Sequence, residues 1–569
     1  MKKIILNLLL FSLPSFIFSQ SISVKILDKI DGTSIENIKV ESENEVFFTD
    51  KNGLIFFDEE LLPIELQIND FRYYPKKIKF NQSKSLEIGL THKGFILDDI
   101  IINSNFNSKK LKNNNTSAAI LDDIEFRKNE GEFLINSLNQ ITGVYSHSAG
   151  YNTNRITIRG MGSRSPYSTN KIKSYLNNIP LSNGVGETTI EDFGIEILDQ
   201  IEINKGPNSS IYGSGLGGNI ILKTSKSFEK TVKIKSIFKS FNTYQNSISV
   251  SKKINRLSLL INFERIKSDG YRDNNTYNNN RIFATVDYDI NDYYGIDFIY
   301  FTNSADALIP SSLSLENYIN NPSSAAFSWR NVQGGEDYNR SVSGLTFNSN
   351  KDKYSSITTF FYKTFSNDEN RPFNYLIEDS DSFGFRHIGK FKLTPFDLSY
   401  GLEYSNESYL FSTWDEYGSA NQSLISQQSQ DRKNSNFFIQ VDKSFQNSFL
   451  TFGIGSNKIN YDWIDETEAS SLSYNTKTII SPRLSYNHNL DKISIFGNIS
   501  HGFSSPNIDE TLNDNGIVNP DIKPETGWNY ELGFIGTINK NKLSYNLNLY
   551  YMDIKNLLVA QRTSFDTFT

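Results

Sequence analysis

The chain contains no cysteine, and only three methionines, four tryptophans and five histidines among its 569 residues. Without cysteine there is no disulfide framework and no thiolate chemistry. His92, His147, His387, His488 and His501 are scattered and show no metal-ligand spacing, so neither a metal nor another cofactor is expected. A surplus of positive charge is also missing: 57 Lys and Arg stand against 64 Asp and Glu, which gives nucleic acid no basic surface to bind. No nucleophile motif stands out, so an enzyme is not expected. Long apolar runs are absent after the first 18 residues, and mean hydropathy is −0.44. A helical membrane span needs about 20 apolar residues, so helices are excluded as the means of crossing.

What is present begins with Met1-Lys2-Lys3, an apolar stretch from Ile4 to Phe18, and the small residue Ser19. That order describes a secretory signal peptide over residues 1–19, too short to anchor as a helix. An exported chain of this hydropathy is secreted, periplasmic or a membrane β-barrel, whose strands alternate faces and therefore average out as polar. The 42 Phe and 30 Tyr favour the barrel, where aromatic girdles lie at both membrane interfaces.

Residues 20–92 carry short alternating segments (Ile22, Val24, Ile26; Ile38, Val40; Ile64, Leu66, Ile68) separated by turn signals such as Asp50-Lys51-Asn52-Gly53. This pattern predicts a small β-sandwich. Residues 93–117 read as a connector: Asp98-Asp99-Ile100-Ile101-Ile102-Asn103 precedes a polar stretch rich in Asn and Lys, whose composition suggests flexibility. The isoleucine segment fits either the last sandwich strand or a strand that adds to a partner's sheet. Residues 118–225 suggest a compact mixed domain. Leu121, Ile124, Phe133, Leu134, Leu138 and Ile141 have helical spacing, predicting two short helices before a strand-rich part. From 226 to the end, segments such as Leu543-Tyr545-Leu547-Leu549-Tyr551 alternate with polar residues, and about fifteen reach transmembrane length. Short links such as Asn291-Asp292 alternate with long polar ones such as Asp306 to Tyr338. No blade-like repeat supports a propeller, and the strands are long for a sandwich.

Three segments of the mixed domain are specific: Arg155-Ile156-Thr157-Ile158-Arg159-Gly160, then Tyr175-Leu176-Asn177-Asn178-Ile179-Pro180-Leu181, then Ile201-Glu202-Ile203-Asn204-Lys205-Gly206-Pro207 running to Ser210-Ile211-Tyr212-Gly213-Ser214-Gly215-Leu216-Gly217-Gly218-Asn219-Ile220-Ile221. Gly213, Gly215 and Gly218 fit a dinucleotide fingerprint in spacing, but a strand pattern follows where a helix is required, so the glycines read as a tight backbone crossing. In order, the three segments resemble the plug domain of TonB-dependent outer-membrane receptors, with Asn177-Asn178 and Lys205 as small departures. Ser505-Pro506, Glu510-Thr511, Asn519-Pro520, Lys523-Pro524-Glu525-Thr526-Gly527 and Tyr530-Glu531-Leu532-Gly533 are similar to a barrel segment of that family, and residues 20–92 resemble its carboxypeptidase-regulatory-like sandwich.

The resemblance implies a membrane all-β fold: an antiparallel transmembrane barrel with an internal α+β plug. Family barrels have about 22 strands. With about fifteen here, and Ser564 to Thr569 reading as loop or strand start, the expectation is a chain lacking roughly 150 C-terminal residues. The resemblance also favours Asp98, Asp99, Ile100, Ile101, Ile102 and Asn103 as the TonB box, the energy-coupling segment that pairs with TonB, itself driven by ExbB and ExbD in the inner membrane. It places Tyr145–Asn154 and Met161–Asn170 in plug loops near the ligand, making Tyr151, Asn152, Arg164 and Tyr167 candidate binding residues. The siderophore-receptor branch implies a ferric siderophore or other iron chelate as ligand. Cobalamin, thiamin or an oligosaccharide, or a non-transporting adhesin, are the alternatives. Outer-membrane lipid surrounds such a barrel, which is expected to be a monomer. Strand alternation points Arg159 and Glu202 inward, and Glu525 and Glu531 lie on or beside a barrel strand. Because buried charges must pair, these four are expected to latch the plug to the barrel.

Overall fold

The computed structural model describes residues 21–568 apart from 29–33, 43–44, 59–60, 71–72, 74, 82–85, 91–100, 105–106, 111–113, 123–133, 149–150, 152–153, 164–168, 184–185, 187, 189, 226–230, 416–417, 491–492, 512–521, 539–542, 560–561 and 565–566. The signal-peptide expectation falls outside them.

The N-terminal region is a compact unit of its own. The strand Ser21–Asp28 pairs antiparallel with Leu54–Asp58 and parallel with Leu86–Leu90. A second sheet orders Val46–Phe48, Lys39–Glu41, Ile64–Ile68 and Lys76–Phe80. The alternating isoleucines, valines and leucines of the sequence pattern form its core, with Ile22, Val24, Ile26, Ile38, Val40, Leu66 and Ile68 all buried. Asp50 fixes the turn by accepting from the backbone N–H of Asn52 (2.9 Å) and Leu54 (2.8 Å). Gly53 sits at φ 72°, where a Cβ would lie 2.5 Å from the Ile26 carbonyl oxygen, so only glycine closes this turn.

The connector is less irregular than its composition suggests. Ile101–Ser104 pairs antiparallel with Asn107–Lys110, a local hairpin inside the stretch expected to be flexible.

The mixed domain is built on a five-stranded sheet in the order Ala118–Asp122, Leu198–Lys205, Gly218–Thr224, Ile172–Leu176, Ile179–Pro180. Leu134–Leu138 forms a helix; Leu121 belongs to the first strand, pairing with Ile201, and Ile124 and Phe133 lie outside the described residues. Leu121, Leu134, Leu138 and Ile141 are nonetheless buried together. The helical spacing therefore marked one core fed by two kinds of element.

A 16-stranded antiparallel sheet follows, its path running from Thr231–Lys239 through consecutive neighbours to Leu543–Lys555, with Ser470–Asn475 branching off Ser448–Asp465. Fifteen strands lie on the path, as the alternation predicted. They reach 22 residues in Ser423–Ser444, with strict alternation of buried and exposed positions along most of their length. On Glu525–Ile538, for instance, Asn529 and Glu531 are buried while Trp528, Tyr530 and Leu532 are exposed. A polar inner face and an apolar outer face is what a barrel in lipid requires. One end of the sheet has short links (255–256, 290–293, 351–353, 394–395, 445–447); the other has the long ones (269–276, 309–334, 466–478, 505–524) beside short ones at 240–242 and 371–374. Short links at one end and long links at the other are the pattern of outer-membrane barrels.

Candidate functional site

The glycines of the third segment do what the sequence suggested, packing backbone on backbone. Gly218 has φ 133°, and a Cβ there would lie 2.1 Å from the Asn204 carbonyl oxygen. Beside it, Gly215 donates from its backbone N–H to the Phe503 carbonyl of the barrel (2.8 Å), and Leu216 N–H donates to Ser504 Oγ (3.1 Å). The crossing therefore also docks the plug on the barrel strand Ile493–Ser504.

Arg159 is placed differently from the strand alternation. It follows the strand Asn154–Ile158 in a turn, at φ 54° with Gly160 at 81°. From there its guanidinium forms an ion pair with Glu531 of the barrel, the two side chains 3% and 0% exposed, and stands 4.2 Å over the Tyr550 ring. Gly206 leaves room for this: a Cβ would lie 3.2 Å from Arg159 Nη1. Glu525 also meets the plug, at 3.2 Å from Lys171 Nζ, which reaches Glu510 as well (3.1 Å). Among the described residues Glu202 pairs with Lys223 on the adjacent plug strand (2.8 Å) rather than with a barrel residue. Burial and the nearby Arg159 lower the Lys205 ammonium to about 8.

Several plug anchors escaped the sequence reading. Asp192 accepts from Asn303 Nδ2 (2.8 Å) and the Tyr338 hydroxyl (2.7 Å), and pairs with Arg340 (2.8 Å). Next to it, burial and the Asp192 charge push the Glu191 carboxyl up to about 7. Lys173 pairs with Glu403 (2.7 Å), to which Tyr175 donates (3.0 Å) and Arg386 donates (2.8 Å). Lysines at 171 and 173, on either side of Ile172, were the available signal: alternation puts both on one face, where a buried ammonium needs a carboxylate.

At the long-link end Tyr151 stacks on Tyr277 (4.9 Å between centroids) and hydrogen-bonds Ser268 (2.8 Å). Asn152, Arg164 and Tyr167 lie outside the described residues, as do Asp98, Asp99 and Ile100; Ile101, Ile102 and Asn103 fall in the connector hairpin. At the opposite end the first plug residues are tied to the barrel. Asn115 donates to Thr451 Oγ1 (2.7 Å) and accepts from Arg483 (3.2 Å), and the Asn114 carbonyl accepts from Asn487 (2.8 Å). Thr451 and Asn487 flank the short links, so the chain enters the plug from that end. Among the described residues no group of three His, Cys, Asp or Glu is arranged to hold a metal ion.

This architecture has counterparts among known proteins. A family model described as TonB dependent receptor-like, beta-barrel matches residues 260–569, over half of the chain, and one described as TonB-dependent Receptor Plug Domain matches residues 110–219. Among solved structures, the unliganded ferric citrate transporter FecA superposes with a TM-score of 0.68 at 14% identity, covering 80% of this chain and 72% of its own. The ferric yersiniabactin uptake receptor FyuA from Yersinia pestis gives 0.64 at 13% identity, covering 78% and 73%. The copper transporter OprC gives 0.65 at 12% identity, covering 79% and 74%. The chain belongs to the TonB-dependent receptors, an outer-membrane family of receptors and transporters in which a plug domain fills a β-barrel.

Proposed function

We propose that the protein imports an iron chelate, most specifically a ferric siderophore, across the outer membrane with energy delivered by TonB, ExbB and ExbD. The observation that carries this reading is the polarity of the plug. Its first residues, Asn114 and Asn115, are tied at the short-link end, and Tyr151 stands at the long-link end. A segment just before Asn114 is thus presented to the periplasm, where the isoleucine-rich box of residues 98–103 can add as a strand to TonB. The chelate binds on the opposite side, at the plug loops containing Tyr151, Asn152, Arg164 and Tyr167. Ferric citrate and ferric yersiniabactin are the cargoes of two structural neighbours, whose likeness supports the fold alone and suggests iron as the first ligand to try.

In this account Arg159–Glu531 and Lys171–Glu525 latch the plug until force arrives, and the N-terminal sandwich is a carboxypeptidase-regulatory-like domain preceding the box. The receptor acts as a monomer. Radio-iron uptake from ferric citrate, a ferric catecholate and a ferric hydroxamate, in cells lacking the gene and in cells with it restored, tests the assignment. Restored uptake of one chelate supports it. Unchanged uptake of all three refutes iron and moves cobalamin, thiamin and oligosaccharides forward.

A further inference from the structure

The last strand of a sheet has backbone groups with no partner strand, and proteins keep such edges short, covered or charged. In the N-terminal sandwich, Val46–Phe48 is an edge of the four-stranded sheet and Leu54–Asp58 an edge of the three-stranded one. The link 49–53 joins them, and Phe47 meets Phe57 across the core with ring centroids 6.0 Å apart, so both edges border one side of the sandwich. That side is unusually apolar. Val46, Phe48 and Phe56 are 52%, 59% and 55% exposed, while Ile55 and Phe57 beside them are 2% and 4% exposed. Period-two alternation sends Phe57 into the core and turns the other three out. On the outer face Phe48 stands opposite Lys39 and Val46 opposite Glu41, and Lys39 is held by Glu41 (2.5 Å).

The backbone of this edge is open as well. The Glu45 carbonyl accepts from Ser42 N–H (2.8 Å), and Thr49 N–H donates to the Ile38 carbonyl (3.1 Å). Both therefore bond within their own hairpin, and antiparallel bonding alternates along a strand. Phe47 then bonds inward too, and the N–H and C=O of Val46 and Phe48 point to the open edge. The charge around them has one sign. Residues 36–60 hold eight Asp or Glu against two Lys, whereas the rest of residues 20–92 hold five against seven Lys or Arg. Among the described residues Glu36 and Glu45 are exposed and form no ion pair. The far edge, Lys76–Phe80, is basic, but its cations are engaged: Lys77 and Lys79 pair with Glu65, and Lys76 donates to the Gly89 carbonyl (2.8 Å). A second copy of the sandwich thus offers the acidic edge no free cation, and two acidic edges repel each other.

We propose that the edge Val46–Phe48 docks a basic β-strand of another protein. The added strand pairs its backbone with the N–H and C=O of Val46 and Phe48 and extends the four-stranded sheet. Its apolar side chains cover Val46 and Phe48, removing from water the surface the sandwich itself leaves uncovered. Its Lys or Arg side chains meet Glu45, Glu36 and the other carboxylates of residues 36–60. The charge selects the partner: it admits a basic strand and rejects both an acidic one and a second acidic edge. The inference concerns the sandwich alone and does not depend on which cargo the receptor carries.

The test uses the whole receptor in detergent and fluorescent peptides read by anisotropy. The probes are Lys-Val-Lys-Val-Arg-Val-Lys, the same peptide with its central valine replaced by proline, and Glu-Val-Glu-Val-Glu-Val-Glu. The first is expected to bind saturably, and the other two more weakly by roughly tenfold or more, since one cannot complete the ladder and the other meets like charge. Val46→Pro removes an edge-facing N–H at a place where a strand tolerates proline. It should weaken the first peptide by roughly fivefold to tenfold, the worth of one hydrogen bond. Glu36→Lys combined with Glu45→Lys should transfer the preference to the glutamate peptide. Hydrogen exchange on the native receptor needs no variant: saturating basic peptide should slow the amides of Val46 and Phe48 several-fold. Equal binding of the valine and proline peptides reduces the contact to charge and overturns the strand pairing. No saturable binding of the basic peptide, or unchanged exchange at Val46 and Phe48, overturns the site. Self-association of the receptor that Val46→Pro abolishes gives the edge to a second copy and overturns the basic partner.

Discussion

Replacing Arg159 with methionine removes the positive half of a pair whose side chains are 3% and 0% exposed. Solvent screening does not soften the loss at such burial. Glu531 is left without its nearest cation, and breaking a buried pair in this way costs roughly 3–5 kcal/mol, against about 1 kcal/mol or less for an exposed one. At 1.4 kcal/mol per factor of ten, the plug's equilibrium between folded and unfolded states shifts by about two to four powers of ten. The loss is reversible by a second change: Glu531→Leu in the same chain removes the stranded carboxylate, and paired apolar replacements of buried ions are often neutral. The assay is urea unfolding of the plug within the purified receptor, read from a fluorophore on Thr142→Cys, an exposed position in a chain with no other thiol. The expected order is native and double variant close together, with Arg159→Met far below. A loss under about 1 kcal/mol, or a double variant no better than Arg159→Met, refutes the latch.

Two further outcomes follow from neighbouring groups. The Lys205 ammonium is held at about 8, below its ordinary value near 10.5, so between these values the folded plug binds fewer protons than the unfolded chain. This contribution to plug stability is therefore worst below pH 8 and improves as pH rises toward 10, which the same urea midpoints at pH 7.5 and 9.5 would show. Because Arg159 contributes to that lowering, Arg159→Met should flatten the rise. Gly218→Ala places a Cβ 2.1 Å from the Asn204 carbonyl oxygen at φ 133°, and should leave the barrel assembled but its plug unfolded; sensitivity of cells to a large hydrophilic antibiotic, raised well above that of the native receptor, checks it.

Much of this molecule was legible from residue order because barrel strands obey one rule, polar inward and apolar outward, and period-two alternation records it directly. The strand path follows from that rule, as do Glu525 and Glu531 at positions facing the plug; the N-terminal sandwich follows from the same period with its apolar face turned inward. The plug was less readable. Leu121 looked helical because its spacing from Leu138 and Ile141 is set by a shared core rather than a shared helix. Alternation tells which face a charge occupies, not whether that face meets a barrel wall or the next plug strand, and Glu202 meets Lys223 of the next plug strand. Asp192 sits outside any regular element, so no period pointed to it; its partners on Tyr294–Leu308 and Gly335–Asn350 are over 100 residues away in sequence.

The central claim is that segment 98–103 couples import to an energy source on the periplasmic side. Uptake of radio-iron from whichever ferric chelate the native receptor carries, compared in cells expressing the native chain and Ile101→Pro at equal surface levels, tests it most directly. Proline cannot donate a backbone hydrogen bond to a partner strand. The account predicts chelate binding at the cell surface unchanged and uptake lost. Uptake at the native rate with Ile101→Pro would contradict it.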